Sequence, residues 1–97
     1  MREIPAVHIL ASRRNGTLYI GVTSNLIKRV WQHKQDVLDG FSKQYKIHIL
    51  VYVTAHRTMP EAIRREKEIK KWDRASKLRL TEKQNPWWHD PSDNFSG

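Results

Sequence analysis

The dipeptide Asn15-Gly16 stands between two short runs of apolar and aromatic residues, Ala6 to Ser12 and Thr17 to Val22, and this constrains the start of the fold more than any other feature. Both residues tolerate the positive φ that a tight hairpin turn requires, so AVHILAS and TLYIGV are expected to pair as antiparallel strands. A two-residue loop would set Tyr19 opposite Ser12 and Gly21 opposite Leu10. His8, Leu10, Tyr19 and Gly21 then share one face; a bulged loop would change that parity.

Thr23, Ser24 and Asn25 can each cap a helix, and the LIKRVWQHKQDVL that follows repeats apolar residues at helical spacing. Leu26, Ile27, Val30, Trp31, Val37 and Leu38 fill one arc, with Lys28, Gln32 and Asp36 opposite. Lys34 falls inside the apolar arc and fits it poorly, while Arg29 and His33 sit one turn apart on its border. Gly40 is expected to end the helix, and KIHILVYVTA from Lys46 reads as a third strand rich in β-branched residues. Pro60 suits the first turn of a second helix, PEAIRREKEIKKW, and Asp73 the cap of a third, DRASKLRLTEK. The expected order is β-β-α-β-α-α, in one domain over residues 1–88 with a flexible tail over 89–97.

Ninety-seven residues hold one modest core and leave no room for a second domain. Hydrophobic residues at 38% and charged residues at 29% suit a soluble globular chain. No apolar run is long enough for a spanning helix or a signal peptide, so the expected location is the cytoplasm, with no membrane partner. Without cysteine, any metal must be held by oxygen or imidazole ligands. Eighteen Lys and Arg against ten Asp and Glu give a formal charge of +8, which favours polyanionic partners and is equally common in proteins that are basic for solubility alone.

One residue interrupts an otherwise ordinary core. On the second helix, Met59, Ala62, Ile63 and Ile69 form an arc with Glu66 near its middle. A carboxylate placed there needs a cation or metal beside it, or else an ion pair with Lys70 one turn on or with an arginine of the first helix. Tyr19 is open to two readings, a half-buried packing residue or a reactive phenol. Arg29 and His33 are likewise either border residues of a helix or functional groups.

The order Tyr19-Ile20-Gly21, then Arg29, His33, Glu66 and Asn85, resembles the GIY-YIG nuclease family. The second signature motif is Tyr19-Ile20-Gly21, and the first corresponds to Ala6-Val7-His8, with His8 in the tyrosine position. TLYIGVTSNLIKRVWQHK, DGFSKQY, LVY, EAIRREKEIKKW and NPWW look like the short, stand-alone bacterial branch often described as excinuclease-C-like, so the resemblance runs from about residue 6 to residue 88. It implies an α+β fold, a small three-stranded, mainly antiparallel sheet flanked by helices. It also implies cleavage of a phosphodiester with one divalent ion, Mg²⁺ or Mn²⁺. Tyr19, Arg29, His33, His8 and Glu66 take the catalytic positions, Glu66 the metal, and Asn85 a position beside the phosphate.

Hydrolysis needs an activated nucleophile, charge neutralisation on the non-bridging oxygens and help for the leaving oxygen. Tyr19 would orient or deprotonate the water; ionising a free phenol at pH 7 costs about 4 kcal/mol, so positive charge must stand nearby. Arg29 supplies that charge and a planar fork for phosphate. Glu66 would bind the ion, and His33 would contact the phosphate or carry a proton. Two departures stand out: His8 replaces the tyrosine of the first motif with a group able to take or give a proton near neutrality, and Val22 stands where excision-repair members carry lysine.

Arg64, Arg65, Lys67, Lys70 and Lys71 form either a phosphate track or a solvated face, and Arg65 and Lys70 are the candidate contacts. Trp87 and Trp88 can stack on bases or close the core. No base-reading motif is present, so specificity is expected from substrate structure or a protein partner. The expected function is a metal-dependent endonuclease acting on nucleic acid, DNA first, in repair or processing of structured DNA. The alternative is a binding module that keeps the fold with weak or lost catalysis.

Overall fold

In the computed structural model, residues 4–35 and 45–90 are described. Strands β1 (Ala6–Ala11) and β2 (Leu18–Thr23) form the expected antiparallel hairpin. Its turn is longer than a two-residue loop. Gly16 N–H donates to the Arg13 carbonyl (2.9 Å), Ser12 and Thr17 close the ladder at 3.0 Å, and Thr17 N–H also donates to Ser12 Oγ at 3.0 Å. Asn15 takes the positive φ, 57°. Tyr19 therefore faces Leu10 and Gly21 faces His8, a register two residues from the expected one. An even shift preserves parity, so His8, Leu10, Tyr19 and Gly21 still share a face.

Strand β3 (Ile49–Ala55) pairs antiparallel with β1, giving the order β2-β1-β3, with a bulge where Ile9 pairs with Tyr52 and Leu10 with Leu50. It starts later than Lys46, whose φ of 54° breaks extended backbone. An edge strand exposes unpaired backbone groups, and here the C-terminal part of the chain covers them. Gln84 bonds both N–H and C=O of Val53, Asn85 donates to the Val51 carbonyl, and the Asp90 carboxylate accepts from Leu50 N–H.

Three helices flank the sheet among the described residues, completing an α+β fold. Helix α1 (Leu26–Lys34) is capped by Asn25, α2 (Met59–Lys71) by Thr58 with Pro60 in its first turn, and α3 (Arg74–Gln84) by Asp73. Helix α1 sets Val30 against Leu10, Ile47 and Leu50 on one face of the sheet. On the other face α2 and α3 cover Val7, Ile9, Ala11 and Ile20, with Ala62, Ile69 and Trp88 filling the core. No helix here is long and apolar enough to cross a membrane.

Two expectations change. Ile27 and Trp31 are 52% and 56% exposed, because a three-stranded sheet covers a narrower arc, met by Leu26, Val30 and His33. Lys34, the misfit of that arc, reaches past the apolar contacts to the His48 carbonyl and the Asp90 carboxylate. His89 N–H donates to the Asn85 side chain, and the Asp90 carboxylate accepts from Leu50 N–H. Val37, Leu38 and Gly40, and residues 91–97 of the expected tail, lie outside the described residues. The tryptophans divide: Trp88 is buried and donates its indole N–H to Glu82, while Trp87 is 71% exposed.

Candidate active site

The face of the sheet under α1 carries an aromatic group that hydrophobic packing alone does not require. His8 leaves the central strand towards α1, Tyr19 leaves β2 beside it, and His33 comes down from α1. The rings of Tyr19 and His33 stand 4.8 Å apart, with His8 6.3 Å from His33 and 6.4 Å from Tyr19. Gly21 makes this possible. A Cβ on it would lie 2.8 Å from His8 Nε2 and 3.0 Å from Tyr19 Cε1, so any side chain would push both rings apart.

Electrostatics hold both histidines neutral. Burial, reinforced by His33 and the Arg29 guanidinium, lowers the pKa of His8 to about 3. Burial, then Arg29 and His48, lowers that of His33 to about 4. Arg29, one turn before His33 on α1, stands near enough for its charge to act on both imidazoles. His8 is fully buried, and among the described residues no donor or acceptor reaches either of its ring nitrogens, an arrangement that costs about 1–3 kcal/mol. His8 thus stays uncharged well into the acid range.

Arg29 also lines a polar hollow of about 260 Å³ at the start of α1, with Thr23, Ser24, Asn25, Lys28 and Gln32. Two cations beside hydroxyl and amide groups suit a phosphate. Sequence reasoning left Lys28 and Gln32 on the solvent side; the four-residue step between them, with Arg29 three residues before Gln32, was the available signal.

The remaining candidates lie elsewhere. Glu66 belongs to α2, in the layer across the sheet, and its largely covered carboxylate pairs with Lys70 at 3.2 Å, the ion pair foreseen from the spacing. Arg65 reaches Glu68 at 3.7 Å and lies over the Trp72 ring, 5.0 Å from its centre. Asn85 caps α3, and its amide hydrogens go to the carbonyls of Val51 (3.1 Å) and His89 (2.6 Å), which ties the segment after α3 to β3. Among the described residues no three His, Asp or Glu side chains gather to cage a metal. Mg²⁺ needs no cage, since one carboxylate completed by water and substrate oxygens suffices. Glu66 fits that donor pattern, with Lys70 now in the place of the cation.

Comparison with known proteins accords with this arrangement. The model of the GIY-YIG catalytic domain matches residues 5–79. UPF0213 protein SH2523 of Staphylococcus haemolyticus is 34% identical over 76 residues, covering 78% of this chain and 92% of that protein. A UPF0213 protein of Staphylococcus aureus is 36% identical over 66 residues, covering 68% and 80%. In three dimensions, the solution NMR structure of the UPF0213 protein BH0048 from Bacillus halodurans superposes with a TM-score of 0.57 at 22% identity, over 97% of this chain and 99% of that one, a likeness of fold. With the catalytic-domain model matched over residues 5–79 and relatives more than 30% identical over most of the chain, the chain belongs to the GIY-YIG family of nuclease-type catalytic domains.

Proposed function

We propose that this chain is an endonuclease that hydrolyses nucleic-acid phosphodiester bonds, DNA in the first place, with the cut made between Tyr19 and the hollow at the start of α1. The observation that supports this most is the contact of the Tyr19 and His33 rings, a phenol and a neutral imidazole, on the α1 face of the sheet, within reach of the Arg29 charge. Arg29, with Lys28, would grip the non-bridging oxygens. Tyr19 would orient the attacking water, whose proton would pass to solvent, and His33, uncharged at pH 7, would hold the Tyr19 ring in place. His8 would wall the site and hold Tyr19 in place. A divalent ion, when bound, would supply charge neutralisation at a phosphate; Glu66, the carboxylate that the family resemblance gives it, stands in the layer across the sheet from Tyr19, so no step at the cut is routed through it. Arg65 and Lys70 would contact phosphates away from the cut. Structured or damaged DNA inside the cell is the substrate setting that this reading favours.

Purified protein with Mg²⁺ or Mn²⁺ is expected to nick single-stranded or branched DNA, and Tyr19→Phe to slow this by about 10²–10⁴-fold without loss of fold. Absence of cleavage of DNA and RNA with either metal sinks the reading. The Glu66–Lys70 ion pair favours one rival, a binding module with little chemistry. That rival predicts salt-sensitive binding that survives Glu66→Ala and no cleavage by the unaltered chain.

A further inference from the structure

Across the sheet from the aromatic site, α3 leaves an open groove that the cut itself does not use. Trp72, Asp73, Ser76, Arg79, Leu80 and Lys83 line about 370 Å³ of it. Leu80 and Lys83 continue into a second hollow of about 330 Å³ with Tyr52 and Gln84. Its floor is apolar and aromatic, because Trp72 and Leu80 rest on the core cluster that also buries Tyr52. Its rim is cationic. Arg79 touches Ser76 Oγ, and both Arg79 and Lys83 are exposed. The acidic residue here, Asp73, is engaged in capping α3 through Ser76 N–H at 2.8 Å. Arg65 lies over the Trp72 ring and holds the indole in place.

We propose that this groove binds a single-stranded segment of the polynucleotide, with a base against Trp72 and phosphates on Arg79 and Lys83. The inference rests on the nuclease reading for the identity of the polyanion. Charge complementarity supports it: the chain carries +8, and a cationic rim over an aromatic floor is what unpaired nucleotides engage. Because the groove opens on the layer opposite Tyr19, the segment it takes is separate from the phosphodiester being cut. The favoured substrate then has a single-stranded arm beside its cleavage point.

The test is anisotropy of labelled oligothymidylate and oligouridylate, with an abasic oligonucleotide of equal length, on the full chain without divalent metal. Arg79→Gln with Lys83→Gln is expected to weaken binding about tenfold and to reduce the salt slope by about 1.4. Arg13→Gln with Arg14→Gln, the same loss of charge on the hairpin turn, should change it little. Trp72→Leu should narrow the preference for the normal over the abasic strand, and Trp31→Leu, on the opposite layer, should leave it intact. Equal losses at groove and turn, or none at the groove, overturn the proposal while cleavage at Tyr19 stands. Groove-dependent binding by a chain that cuts nothing upholds it and removes the nuclease reading instead. Relative affinity for the two homopolymers then assigns the arm to DNA or RNA.

Discussion

Val7, Ile9 and Ala11 leave β1 on one side of the sheet, and Ala6, His8 and Leu10 leave it on the other, so alternate residues of one strand enter two different environments. The α2–α3 side is an apolar core whose exceptions are satisfied, as where the Trp88 indole finds Glu82. The α1 side buries a histidine with no partner for either ring nitrogen among the described residues and brings a second histidine and a tyrosine against it. An interior arranged for stability alone replaces such a histidine with leucine. Its presence under the YIG motif gives up stability on the face to which the proposed chemistry is assigned.

If that contrast is sound, acid should act through one face. Unfolded, both imidazoles titrate near 6.5, whereas in the folded chain the values fall to about 3 and about 4. Below pH 6.5 the unfolded chain therefore binds more protons, and stability is lost as pH falls, the loss ending only below about 4 for His33 and about 3 for His8. Between pH 7 and pH 5 each histidine should remove about 2 kcal/mol, seen as a falling urea midpoint. His8→Leu should abolish about half of that dependence. A midpoint independent of pH in this range would mean that the rings are not held neutral.

The apolar face should answer differently. Ile9→Ala, one residue along the strand, is expected to cost about 2–5 kcal/mol through lost burial and the cavity left behind, and nearly the same at pH 7 as at pH 5. Gly21→Ala should cost less, about 1–3 kcal/mol, since its methyl group meets the rings of His8 and Tyr19. It should nevertheless lower cleavage more than Ile9→Ala does at matched folded fraction. The reverse order would show that the aromatic group is packing and nothing else.

The two faces were unequally legible in the sequence. Element order and caps follow from local rules: the apolar runs AVHILAS and TLYIGV either side of Asn15-Gly16, Pro60 in a first turn, Asp73 and Asn25 ahead of helical periodicity. The hairpin was legible in kind but not in register, because Asn15-Gly16 suits several turn lengths and the Ser12 hydroxyl helps to select the longer one. Lys34 looked like an error in its helix until Asp90, far along the chain, supplied the partner. The same distance hides the neutrality of His8 and His33, which depends on burial between three elements. Motif order named Tyr19 and Arg29, but no local rule says that Asn85 would use both amide hydrogens to fasten the end of the chain to β3.

The smallest effect bears on whether the α2 layer shares in the chemistry. Glu66 and Lys70 form an (i, i+4) pair in the favourable direction, glutamate first, with the lysine about half exposed. Because Glu66 is largely covered, Lys70→Ala should cost more than the loss of a fully exposed pair, about 1 kcal/mol. Its effect on metal should be the more telling one. Removing the ammonium leaves a largely covered carboxylate without a counter-charge, and a divalent ion is the natural replacement, so the Mn²⁺ concentration needed for half-maximal cleavage should fall. If Lys70→Ala instead leaves that concentration unchanged while Glu66→Gln also leaves cleavage intact, Glu66 is a structural residue, and the chemistry is confined to the α1 face.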